Sequence, residues 1–247
     1  MAWQIPKTDW SAADGVRDSD FNRIEGNTLE LRNTVKLWND VSIYVATTGS
    51  DSVGNGSSSS PYKTITHALS MIPKNLDGRN VLLYVSTGTY TENVIIRGYS
   101  NGKIILTGTY GSTATIQTLE VDSSICEVRT LGLRATSGGV TVNNGAVLLC
   151  TGSVSAVDTA RGLYVLNGST CRVYSQLTVN NAATAAVHAA GASRVYVLSL
   201  AGSDNVAAII AEEGSIVSYG STNITVNALT FISRTGGRIT TGSSGGL

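Results

Sequence analysis

The spacing of apolar residues changes twice along this chain, and each change marks a different kind of element. Between Phe21 and Trp38, the positions Phe21, Ile24, Thr28, Leu31, Val35 and Trp38 alternate between steps of three and four. That alternation is the a/d seam of a coiled coil, and Ser19 or Asp20 is placed to cap the helix that carries it. The seam runs for only about two and a half heptads, and Gly26 costs it roughly 1 kcal/mol of helix propensity. Such a helix needs partners. Leu29 and Leu37 lie off the seam, which points to contacts besides its own copies.

From Val41 the pattern becomes strand, loop, helix. Ile43, Tyr44 and Val45 predict a short strand, and Thr47 to Ser60 a Gly/Ser-rich loop. Beyond Pro61, Ile65, Ala68, Leu69 and Ile72 fall on one helical face, and Pro73 ends the helix. The third pattern begins near Val81. Gly145, Gly168, Gly191 and Gly214 follow one another at a constant interval of twenty-three, and Gly237 continues the series. Each glycine separates two short β-prone runs, as in VTVNNGAV, LYVLNGST and IIAEEGSI. A fixed period with no room for a helix marks stacked all-β coils, with glycine in turns that need φ > 0. The expected fold is all-β: a right-handed parallel β-helix of about 23 residues per rung. It divides into a helical segment over 1–40, a strand-loop-helix cap over 41–80, and a shaft over 81–247. About seven rungs at ~4.8 Å make a rod roughly 34 Å long. Cys126, Cys150 and Cys171, separated by twenty-four and twenty-one positions, belong in its interior ladders as free thiols.

Composition narrows the function more than it names it. Seventeen basic and 17 acidic side chains cancel, and no basic run invites nucleic acid. No apolar stretch reaches the ~18 residues of a membrane span, and Met1 to Trp10 does not read as a signal peptide. The three cysteines show no CxxC spacing, so no metal or cofactor is expected.

The run IYVATTGSDSVGNGSSSSPYKTITHALSMIP, followed by VLLYVSTGTYTENVIIRG, resembles the opening of the pectin-lyase-like superfamily. The resemblance spans about Ile43 to Gly108 and implies a right-handed β-helix, with little implied about chemistry. A second run, MAWQIPKTDWSAADGVRDSDFNRIEGNTLELR, is similar to N-terminal modules of tail and baseplate proteins in phages of Gram-positive bacteria. It implies an attachment module ahead of a displayed shaft.

Candidate chemistry is sparse. Glu120 and Asp122, two positions apart with Arg129 nearby, are the best carboxylate pair, but no two acids recur at the interval of the glycines. The family's W-x-D-H string is missing, and His67 and His188 have no evident partner in the sequence. Tyr174, Tyr196 and Tyr219, at intervals of twenty-two and twenty-three, are expected to stack on successive rungs. Packing, a subunit interface and a glycan contact all remain open for them. Arg172 and Arg194 would flank that ladder and hold phosphate or carboxylate groups of a cell-wall polymer. The expectation is therefore a non-enzymatic structural protein of a phage tail, a fibre or baseplate appendage in the virion, assembled in the host cytoplasm. It trimerises through Phe21 to Trp38, meets other tail proteins through its N-terminus, and presents its shaft to the host. A tailspike-type polysaccharide depolymerase and a bacterial surface adhesin are the alternatives.

Overall fold

The structure, a computed structural model, describes residues 17–35, 40–108 and 111–241. Among the described residues sixteen strands join in one sheet, and the pairing between successive coils is parallel. They form a parallel β-solenoid of about seven turns with about 23 residues per turn. Each turn has three flanks, A, B and C. Alternation along every strand sends one set of side chains inward and the next outward.

The inward columns explain why this sequence coils. On flank A one column is Val81, Ile104, Cys126, Leu148, Cys171, Val195 and Val217. The next is Leu83, Leu106, Val128, Cys150, Val173 and Val197. Flank B supplies Ala114, Leu133, Val154, Leu177 and Leu200, and flank C supplies Val94, Leu119, Val140, Leu163, Val187 and Ile209. All of these are buried. The uneven cysteine spacing is thereby resolved. Cys126 and Cys171 share one column with Leu148 between them, and Cys150 stands in its neighbour. Burial pushes the Cys150 thiol up to about 12.

The glycines sit together in the turn from flank C to flank A, with one slip. Gly145, Gly168, Gly214 and Gly236 each lie three positions before the first flank A column and have positive φ. In the remaining coil that place belongs to Ala192, at φ 59°, and Gly191 stands one position earlier. Backbone bonds confirm the equivalence: Gly145, Gly168, Ala192 and Gly214 each donate an N–H to the turn of the next coil. Gly237 therefore does not continue the series. It falls in the column of Ser169, Ser193 and Ser215, small residues buried inside the turn.

The sheet begins earlier than the repeats suggest, because Val41–Val45 pairs in register with Val81–Val85. A helix follows at Ile65–Ser70 with Ile65, Ala68 and Leu69 buried; it ends short of the expected face, and Ile72 is buried beyond it. Thr64 Oγ1 accepts from His67 N–H, and the Glu92 carboxylate accepts from the N–H groups of Ile65 and Thr66 at 2.8 Å each. At the other end the inner columns run out. Tyr219, Ile224, Val226 and Ile239 are half-buried, and Phe231 is 41% exposed.

An N-terminal helix spans Asp18–Val35. Asp20 does not serve as its N-cap. It lies in the first turn, where its carboxylate accepts from Arg17 N–H at 3.1 Å and pairs with Arg23 at 3.2 Å. Of the seam, Phe21 and Ile24 are exposed, at 57% and 55%. Thr28 is exposed as well, its hydroxyl donating to Ile24 O. Leu31 and Val35 continue the helix, and Trp38 lies outside the described residues.

Candidate binding surface

Several polar side chains among the described residues bridge one coil to the next. Arg97 on flank C donates to Glu120 at 2.6 Å and to Asp122 at 2.7 Å, holding together the carboxylate pair singled out from sequence. Asp122 also accepts from Asn144 and Ser123, and these bonds, the Asn144 amide first, keep its carboxyl below the usual range. Arg129, expected near that pair, faces flank A instead. There Glu127 accepts from Arg129 at 2.8 Å and from Lys103 at 2.7 Å, chiefly the Arg129 bond lowering its pKa.

His188 has partners that the sequence did not disclose. Its Nδ1 lies 2.8 Å from Arg161 Nε, and its Nε2 lies 2.7 Å from a Glu212 oxygen. An arginine Nε–H only donates, so Nδ1 accepts and Nε2 carries the proton toward Glu212. The imidazole is neutral in this arrangement and lies beside the Tyr164 ring at 5.0 Å. Arg161 and Glu212 each stand near one full turn from His188 along the chain, and that separation was the available signal. Among the described residues no cluster of His, Cys, Asp or Glu is placed to hold a metal.

The three tyrosines do not form a ladder. Tyr174 lies three positions past the first inward column, Tyr196 one past it, and Tyr219 two past it. They occupy three different columns because the coil from Cys171 to Val195 is two positions longer than the coil from Val195 to Val217. Tyr196 points outward yet is only 6% exposed, its ring 6.0 Å from that of Tyr174. Tyr174 is 40% exposed, and its hydroxyl accepts from Arg172 at 3.3 Å. Tyr219 stands in an inward column and stacks on Phe231 at 5.3 Å.

The two arginines do come together. Thr170 pairs with Arg194, and Arg172 pairs with Tyr196, so the four make a square of outward positions on adjacent coils. Its floor is Cys171 and Val195, and the cleft it frames holds about 50 Å³. The guanidinium groups lie on one diagonal, with Thr170 and Tyr196 on the other. The wider flank is basic too. Among the described residues its outward positions carry Lys103, Arg129, Arg172, Arg194 and Arg238 against Glu127 and, at the first coil, Asp40. The acids Glu120, Asp122, Asp158 and Asp204 fall on flank C or at its junction with flank B. Flank C also carries Arg97 and Arg161, so the signs are mixed there and flank A is the more basic face.

No protein-family model, curated protein or solved structure matches this chain.

Proposed function

We propose that the protein is a structural component of a bacteriophage tail, a fibre or baseplate appendage that presents its solenoid to the host surface as a homotrimer. The observation that carries this reading is flank A: an uninterrupted parallel surface, backed by continuous apolar columns, with basic and tyrosine side chains outward. A rod of this kind holds binding groups in fixed register. Two further features support it. The helix ahead of the solenoid exposes Phe21 and Ile24, as a seam awaiting its other strands would. The N-terminal run resembles tail and baseplate modules, and the run from Ile43 to Gly108 resembles the pectin-lyase-like opening. A depolymerase would need Glu120 or Asp122 released from Arg97, which counts against cleavage.

The test has two arms. Sedimentation of the full chain at micromolar concentration should give a trimer, and Phe21→Asp with Ile24→Asp should give a monomer with an unchanged β-sheet spectrum. Antibody labelling of phage particles that encode the protein should decorate the tail. A monomeric wild-type chain refutes the assembly, and unlabelled particles refute the tail role.

A further inference from the structure

We infer that the N-terminal half of flank A is a contact surface for a second copy of this chain, packed beside the first at the foot of the solenoid. This rests on the homotrimer reading and adds the face that the copies share. Alternation along a strand puts polar side chains on the side of a sheet that meets water. Over the first coils flanks B and C follow that rule, Ile95 apart. Thr113, Thr115, Arg134 and Ser155 point outward on flank B, and Thr118, Glu120, Asp122, Thr141 and Asn143 on flank C. Flank A does not. Its outward positions at the same level include Leu82, Ile105, Ile125, Val147 and Leu149, with Tyr44 stacked on Tyr84 at 4.9 Å. Two of its strands carry VLLYV and VLLC, the near-continuous apolar strings of strands covered on both faces.

The patch is prepared for burial. Ile105 faces outward yet is 1% exposed and lies outside the core cluster, so a second apolar layer is already begun there. Ile125 is exposed beside half-buried Val147 and Leu149. The charged groups among them are paired, Glu127 accepting from Lys103 and Arg129. A contiguous outward apolar group of this kind marks a protein contact, whereas single scattered ones do not. Position identifies the partner. The strand Val41–Val45 begins six positions after the helix Asp18–Val35 ends, a tether of at most about 21 Å. Copies joined through Phe21 and Ile24 therefore hold their first coils within reach of one another, at high effective concentration. Area agrees. Five strands at ~4.8 Å and about five residues at ~3.3 Å span roughly 400 Å², half of the ~800 Å² that each partner of a stable interface buries. The patch is too small to hold copies by itself and the seam too short, so each supplies what the other lacks. The distal half of flank A, with Tyr174, Arg194 and Arg238 outward, lies beyond the patch and remains for display.

The experiment reads thiol reactivity in the assembled full chain. Ile125→Cys and Tyr174→Cys each place one new thiol at positions of nearly equal exposure in the single chain, 42% and 40%, and the native thiols are buried. In the assembled state the Ile125→Cys thiol should react with a disulfide reagent at least about tenfold more slowly than the Tyr174→Cys thiol. Ile125→Asp with Leu149→Asp should raise the concentration of half-assembly in sedimentation at least about tenfold, with an unchanged β-sheet spectrum. Thr115→Asp with Ser155→Asp, on flank B, should leave it unaltered. Comparable thiol rates overturn the proposal. So does assembly of the flank A pair as tight as that of the unaltered chain, or a flank B pair that dissociates as readily. The thiol comparison needs only conservative changes, so a misfolded aspartate pair leaves the test decisive. A monomeric unaltered chain removes both this surface and the homotrimer. A trimer in which the Ile125→Cys thiol reacts freely removes the surface alone and leaves the helix to join the copies.

Discussion

Replacing Asn205 should unlatch one coil from the next, and the cost can be worked from its two bonds. Asn205 is fully buried at the junction of flanks B and C. Its Nδ2 donates to Val179 O at 2.8 Å, and its Oδ1 accepts from Ala182 N–H at 3.0 Å, both in the preceding coil. Asn205→Ala removes both bonds and leaves Ala182 N–H facing a void. An unsatisfied buried backbone group costs about 1–3 kcal/mol, so the pair should cost roughly 2–4 kcal/mol after partial relaxation. Asn205→Asp should be no better at neutral pH. One oxygen keeps the Ala182 bond, but the other then faces the Val179 carbonyl with no proton between them. Urea unfolding followed by far-ultraviolet circular dichroism measures both variants, with the midpoint falling and the slope held if the solenoid still melts as one unit. A loss under about 0.5 kcal/mol for Asn205→Ala would show that solvent reaches the Ala182 N–H, and that the clip contributes little.

Other perturbations test other parts of the molecule. Ala192→Gly should stabilise the solenoid by about 1 kcal/mol, since Ala192 holds a left-handed conformation where equivalent turns have glycine; a lower melting temperature would contradict the turn alignment. Glu127 has a folded pKa below its ordinary 4.5, so its contribution is present above that pH and is lost as pH falls through the folded value. Melting temperature should therefore drop on acidification below about pH 4.5, and Glu127→Gln should flatten that drop; parallel curves would refute the bridge. The three thiols should resist a disulfide reagent at about pH 8 in the folded chain and react on unfolding, because burial raises all three thiol pKa values; prompt native reaction would place them outside the core.

The fold was legible because its signal is collective, and the surface was not because its signal depends on individual register. A constant interval between glycines was enough to announce coils, since a turn that is one residue long or short still coils. The same tolerance erases the outward columns. From Val81 through Ile104, Cys126, Leu148, Cys171, Val195 and Val217 to Ile239, successive flank A positions are separated by anything from twenty-two to twenty-four. Side chains alternate between faces with a period of two, so a single residue of error turns an outward tyrosine into a core one. Tyr219 is that case: its distance along the chain from Tyr196 suggested a shared exterior, yet it stands in an inward column, half-buried. Arg172 and Arg194 are closer in sequence by two positions than the length of the local coil, so they come out on a diagonal and not in a column. Their nearness survived the error because a diagonal neighbour is still a neighbour, and the same applies to His188 with Arg161 and Glu212. A solenoid's binding chemistry is therefore set by turn lengths as much as by the residues themselves. Insertion of one residue in the turn before Arg194 would be absorbed there, with Val195 and Val197 held inward, whereas a one-residue slip of the strand itself would dissolve the square.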